Sequence, residues 1–191
     1  QPREPDDATP NRPLQIVYAG SLVMAKGLAE LLAIAQRVNG VHLTLIGQAS
    51  GKFEQRYLDF FRDKCIADRV TLTGQLPNSE VLDILAGADV YCLPSHTEGF
   101  PMSIMEAMQA GLPVVASTVG AIPDMVEVPQ GGILCAPHDD DGFVAAIEHL
   151  RDSPEQRRDM GNYNRTAALR NYDFETVSRR LADVYLEAAS R

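Results

Sequence analysis

The sequence predicts a doubly wound α/β domain on a parallel six-stranded sheet, with extra helices at its carboxyl-terminal end. Three observations carry this. Short apolar runs rich in β-branched residues alternate with longer segments of helical period. Six such strand–helix units follow one another, uninterrupted by any internal repeat or low-complexity tract. The 191 residues, 45% hydrophobic and 23% charged, suffice for one full hydrophobic core and barely for two.

Residues 1–13 (QPREPDDATPNRP) are rich in proline and charge without apolar period, and read as a linker or cloning boundary. The domain proper is expected over residues 14–191. Residues 14–20 (LQIVYAG) form a buried strand and 27–38 an amphipathic helix. Residues 41–47 (VHLTLIG) and 52–66 are the second strand and helix. The third strand is 69–74 (RVTLTG), followed by a helix over 80–86 that Asn78 or Ser79 could cap. Residues 88–94 (ADVYCLP) are the fourth strand, with a helix from Pro101 to Ala110. Residues 112–117 (LPVVAS) are the fifth, with a short helix near Pro123, and 131–135 (GGILC) the sixth. Helices over 140–151, 154–171 and 174–190 close the chain.

Right-handed crossovers in the usual doubly wound order place the first and fourth strands side by side. Ligands of such sheets bind beyond the carboxyl ends of the strands at that switch point. The loops leaving these two strands, 20–27 and 94–102, also hold the least ordinary chemistry in the chain.

In the first loop, glycines at both ends, Gly20 and Gly27, allow a tight turn and close approach to a ligand. Ser21 follows Gly20. Lys26 stands just before a helix, where the dipole opposes its charge, a placement that makes sense if an anion lies between them. From this loop alone a solvated surface lysine is the more frequent case. The pattern is neither GxGxxG nor a P-loop.

In the second loop, a strand ending at Pro94 is followed by Glu98, Gly99 and Phe100, then by a helix with Pro101 near its first turn. Amides at such a helix start point outward as an anion site. Glu106 lies about one turn in, with Glu98 in the loop above. A carboxylate suits a pair of hydroxyls on a ribose or hexose better than it suits phosphate. The competing reading of Glu106 is specific: Ser103-x-x-Glu106 is a capping-box pattern. His96 is read as a surface loop residue without a role. The loop 117–124 could wall the same crevice, although an ordinary βα connection is the simpler reading. Gly47 and Gly74 are strand-exit turns that could also admit a base close to the backbone. The run His138-Asp139-Asp140-Asp141 precedes a helix and is assigned to capping, with no metal expected.

A formal net charge of −9 argues against nucleic acid as a partner. No signal peptide or membrane-spanning run is visible. Cys65, Cys92 and Cys135 fit no zinc or redox spacing. Cys92 and Cys135 lie in apolar strand runs, which favours buried thiols and a cytoplasmic setting.

The run from Glu98 to Ser117 (EGFPMSIMEAMQAGLPVVAS) closely resembles the signature of the group-one glycosyltransferases, retaining enzymes of GT-B architecture whose motif is two glutamates separated by seven residues. The likeness extends to Lys26-Gly27, the strand ending at Gly47, the 70–74 run (VTLTG), the 88–95 run (ADVYCLPS) and the tail near Tyr172-Asp173-Phe174.

The resemblance implies a Rossmann-like domain forming the carboxyl-terminal, donor-binding half of such an enzyme. Lys26 would neutralise the donor diphosphate and Glu98 would contact the sugar or its phosphate linkage, these two being the catalytic pair. Glu106 would accept from the ribose hydroxyls. Amides around Gly99, Phe100, Met102 and Ser103, with Gly20 and Ser21, would hold the phosphates or sugar. Backbone near Gly47, Gln75 and Leu76 would hold the base. The donor would be a nucleoside-diphosphate sugar, UDP- or GDP-linked, with no cofactor and no metal. The acceptor (a glycan, lipid or small molecule) would lie mainly on an amino-terminal domain absent from this chain, which could also attach the protein to the inner face of a membrane. The isolated domain would transfer little alone, and its closing helix would cross back to the missing domain.

Three positions depart from the family pattern as the resemblance gives it. Ser21 replaces an arginine, Pro101 a frequent glycine and Ala49 a second glycine after the second strand. Ser21 keeps open a non-catalytic nucleotide-sugar-binding or assembly module of the same fold. A nucleotide-sugar epimerase of GT-B architecture fits the paired-glutamate run less well.

Overall fold

The computed structural model describes residues 12–49, 51–62 and 66–172, together with residues 178, 182 and 185. Six strands, β1 (Leu14–Ala19), β2 (Val41–Ile46), β3 (Val70–Gly74), β4 (Val90–Leu93), β5 (Val114–Ser117) and β6 (Gly132–Cys135), form one parallel sheet in the order β3-β2-β1-β4-β5-β6. The predicted switch point is present: Ile16 of β1 pairs with Val90 of β4.

Strands buried on both faces need no polar alternation, and β4 and β5 are buried at every position. Their covers are α1 (Leu28–Arg37), α2 (Lys52–Phe61), α3 (Asn78–Gly87), α4 (Met102–Ala110), α5 (Ile122–Met125), α6 (Asp140–Arg151) and α7 (Pro154–Tyr172). Helix α1 packs with α2 and α6, and α4 with α3 and α7, so the helices divide into two layers. Leu28, Leu31, Ile34 and Ala35 of α1 are fully buried, the face expected from their helical spacing.

Helix α7 is fastened to the end of α4. Asn164, fully buried, donates from Nδ2 to the carbonyls of Leu112 and Gly131, both at 2.7 Å. A Cβ on Gly161 would lie 2.2 Å from the carbonyl oxygen of Gly111, so glycine lets the two backbones touch.

Two capping expectations are corrected. Neither Asn78 nor Ser79 caps α3: the helix already begins at Asn78, with Pro77 as N-cap and no side-chain cap. The proline holds the pre-helical conformation, and its carbonyl accepts the amides of Glu80 and Val81. The capping box read into Ser103-x-x-Glu106 does not form, because Pro101 is the N-cap of α4 and Ser103 already lies within the helix. Asp139 does cap α6, accepting the Gly142 amide at 2.8 Å.

The expected linker lies outside the described residues up to residue 11. Of its last two residues, Arg12 pairs with Asp89 at 2.6 Å. Cys65 and nearly all of the closing helix expected over 174–190 lie outside the described residues. Cys92 and Cys135 are buried thiols. Burial pushes both upward, Cys135 to about 11 with a smaller contribution from Asp139. Among the described residues no helix is long and apolar enough to cross a membrane.

Candidate active site

The site lies at the carboxyl ends of β1, β2 and β4. Three of its loops pack backbone to backbone, which is why glycines stand where they do. Gly47, at φ 142, sits where a Cβ would come within 1.8 Å of the Gly20 carbonyl oxygen. The exits of β1 and β2 are thereby joined, and Gly20 and Leu22 donate to the carbonyls of Ile46 and Gln48. Gly27, at φ 82, presses its α-carbon against the end of β4, where a Cβ would meet the Pro94 carbonyl at 2.2 Å.

That contact brings the Lys26 corner to the loop after β4. Lys26 Nζ lies 2.8 Å from Glu98 Oε1 and donates to the Thr97 carbonyl at 3.2 Å. Ser95 Oγ donates to the same carboxylate oxygen at 2.7 Å. The His96 amide closes the corner onto the Ala25 carbonyl. The Glu98 side chain is only 10% exposed, so it is held in place rather than waving from a loop.

The loop between β5 and α5 packs under the Glu98 corner, though none of its residues lines the neighbouring cleft. Gly120, at φ 56, lies directly beneath Glu98, where a Cβ would be 2.1 Å from its carbonyl oxygen. Ala121 donates its amide to the Gly99 carbonyl at 2.9 Å. The sequence signal was present in the small residues before Pro123, but it does not differ from that of an ordinary βα turn.

A cleft of about 630 Å³ opens beside this corner. Gly20, Ser21, Gly47, Gln75, Leu76, Met102, Ser103 and Glu106 all line it. Lys26, Glu98, Gly99 and Phe100 lie outside its lining, further along the same two loops that carry Ser21 and Met102. Sequence reasoning missed Gln48, Asn78 and Val81, which also line the cleft. Asn78 reads as a cap in sequence because asparagine ahead of a helical run is a capping signal.

Glu106 does not cap its helix, and desolvation holds its carboxyl above the usual carboxylate range. The first turn of α4 has no side-chain cap, so the Met102 and Ser103 amides have no acceptor within their own helix. Beneath the cleft two buried tyrosines brace its floor. Tyr18 donates to the Ser21 carbonyl at 2.7 Å and Tyr91 to the Ala19 carbonyl at 3.2 Å, and Tyr91 is also hydrogen-bonded to the Ser103 side chain. Burial drives both phenols far upward, so they stay protonated as donors. Phe100 is half exposed and meets Tyr172 edge-on, with centroids 6.1 Å apart.

His96 is not the surface residue expected. Its Nε2 lies 2.7 Å from Oε1 of Glu30, a carboxylate buried in α1. Its ring also lies against that of His138, with centroids 3.7 Å apart and planes tilted by 42°. Burial of Glu30 on an otherwise apolar face is what draws the imidazole inward. Among the described residues this trio is the group of side chains placed to hold a metal ion, and none of the three lines the cleft.

A family model for "Glycosyl transferases group 1" matches residues 3–167. The chain belongs to the group 1 glycosyl transferases. This glycosyl transferase chain is 32% identical over 180 residues to a glycogen synthase of Mycobacterium tuberculosis, covering 92% of the chain and 43% of that protein. It is 33% identical over 183 residues to the MMP alpha-(1->4)-mannosyltransferase of Mycolicibacterium hassiacum, with the same coverage. Among solved structures, sucrose-phosphate synthase of Thermosynechococcus elongatus superposes with a TM-score of 0.84 at 26% identity, covering 96% of this chain and 47% of that one. Anabaena HepE, solved with UDP, gives 0.83 at 23% identity, covering 93% and 49%. That likeness speaks to fold. The chain spans less than half the length of the curated relatives it matches.

Proposed function

We propose that this chain is the donor-binding domain of a retaining glycosyltransferase of GT-B architecture that uses a nucleoside-diphosphate sugar. The observation that carries the reading is the meeting of Lys26 and Glu98 on the same two loops whose Ser21 and Met102 line a cleft with Glu106 and close-packed glycine backbone. The base lies near Gly47, Gln75 and Leu76, and Glu106 accepts from the ribose hydroxyls. The diphosphate reaches the uncapped start of α4, and Lys26 turns from Glu98 to meet it.

Glycosyl transfer with a diphosphate leaving group needs stabilisation of charge on the departing oxygens. A lysine with outward-facing amides supplies it without calling on a metal. Glu98, released by Lys26, accepts a sugar hydroxyl and fixes the anomeric carbon over the phosphate. The leaving phosphate assists the incoming acceptor hydroxyl, so no carboxylate nucleophile is required, unlike the two-carboxylate hydrolases. The acceptor is held mainly by a second domain of the whole protein, and the setting is cytoplasmic. HepE, solved with UDP and with UDP-glucose, supports the choice of donor class.

Calorimetric titration of the folded chain with UDP, GDP and ADP tests the reading. Weak binding of one of them, with little or no transfer by the chain alone, is the expected result. Failure of a folded sample to bind any of the three overturns it.

Ser21 favours a second reading, a binding or assembly module without turnover. It is an exposed hydroxyl where the family resemblance places an arginine, and leaves Lys26 as the only cation of this loop. The whole protein separates the two. Loss of transfer in Glu98→Ala of an active parent excludes the module, and turnover created by Ser21→Arg in an inactive parent supports it.

A further inference from the structure

We propose that Glu30, His96 and His138 form a binding site for a borderline divalent cation such as Zn²⁺, separate from the donor cleft. Each residue comes from a different element: α1, the loop after β4 and the loop after β6. One donor atom from each lies within 4.8 Å of the other two. Ligand atoms about 2.0–2.2 Å from a tetrahedral Zn²⁺ are themselves about 3.3–3.5 Å apart, so a single ion spans the trio after small adjustments.

Glu30 is the feature that points to a ligand. It is 1% exposed, in line with Leu28, Leu31 and Ile34 on the buried face of α1. A buried carboxylate is retained only when its oxygens are matched by donors or by a metal. Oε1 has His96, but Oε2 is buried with no hydrogen-bond partner among the described residues. His96 and His138 place two imidazoles in ring contact against this acid. Two histidines and one glutamate are a zinc set that leaves a fourth position for water. His138 is exposed and gives the ion a way in, while the neighbouring Asp139 is occupied in capping α6.

On binding, the single proton of the His96 Nε2–Glu30 Oε1 hydrogen bond leaves to solvent and the cation takes its place, the two atoms parting from 2.7 Å to about 3.3 Å. The ion then ties α1 and the β6–α6 loop to the segment that carries Glu98. It is a clamp on that loop and takes no part in glycosyl transfer, so the site stands whether or not the donor reading does.

The test uses the whole chain without an affinity tag, in a Cys65→Ser background so that this thiolate supplies no ligand. Co²⁺ is the spectroscopic probe, followed by Zn²⁺ titration and thermal melting. The expected result is one Co²⁺ per chain with visible d–d absorption, displaced by Zn²⁺, and a melting temperature raised by Zn²⁺. His138→Ala, at an exposed position, should lower Zn²⁺ affinity at least about tenfold while UDP binding stays unchanged. Absence of stoichiometric metal binding by the folded chain overturns the proposal, as does equal affinity in His138→Ala.

Discussion

Lys26 Nζ stands 2.8 Å from Glu98 Oε1, so a cation and an acid from two separate βα loops form one charged unit before any ligand arrives. Ser95 and Thr97 hold that unit from the protein side. On the proposed donor reading, a diphosphate would draw Lys26 away and free Glu98 to accept a hydroxyl.

Replacement of Lys26 by methionine should weaken nucleoside-diphosphate binding by about tenfold to a hundredfold, the loss expected for a charge-assisted contact of about 1.5–3 kcal/mol. Affinity for the matching nucleoside, which carries no phosphate, should not change. Parallel calorimetric titrations of the two ligands measure the difference, and an equal loss for both would place Lys26 outside the phosphate site.

Glu106→Gln should weaken binding of the ribonucleotide while leaving the 2′-deoxy analogue nearly unaffected. A pH series adds a second check. Desolvation raises the folded-state pKa of Glu106 above its unfolded value. Its contribution to stability is therefore complete below the ordinary glutamate pKa of about 4.3 and fades as pH rises through the raised value. Nucleotide affinity runs the other way, improving over that window as the carboxylate ionises. The glutamine variant should flatten both slopes.

Gly47→Ala should destabilise the domain by about 2 kcal/mol or more, since alanine at φ 142 is strained and its Cβ would drive into the Gly20 carbonyl. Urea denaturation followed by circular dichroism reads the loss. Base and phosphate binding should both fall, because the exits of β1 and β2 move apart.

Asn164→Leu removes the side-chain donor to the Leu112 carbonyl in a buried setting and leaves the Gly131 carbonyl with the Val114 amide. The expected cost is about 2–4 kcal/mol. Glutamine substitution should not rescue it, since the side chain is fully buried and lies tight against Gly131, where a Cβ would be 2.3 Å from the Asn164 Oδ1. A denaturation midpoint within error of the parent would show that α7 is held by something else.

The sequence by itself determined the order of strands and helices, the switch point between β1 and β4, and the residues that line the cleft from Gly20, Gly47 and Glu106. The order of elements follows from hydrophobic period, which is local and written in consecutive residues, whereas the cleft residues stand out mainly through the likeness of the 98–117 run to a known family. Only the tertiary structure decided that Gly120 supports Glu98, that Asn78 faces the cleft, that Pro101 leaves Glu106 free of capping, and that Glu30 is buried against His96 and His138. Each of these depends on which chain segments meet after crossovers of many residues. An acid on an apolar helix face looks the same in sequence whether it snorkels to water or is enclosed by partners, because the enclosing groups are contributed from elsewhere in the chain.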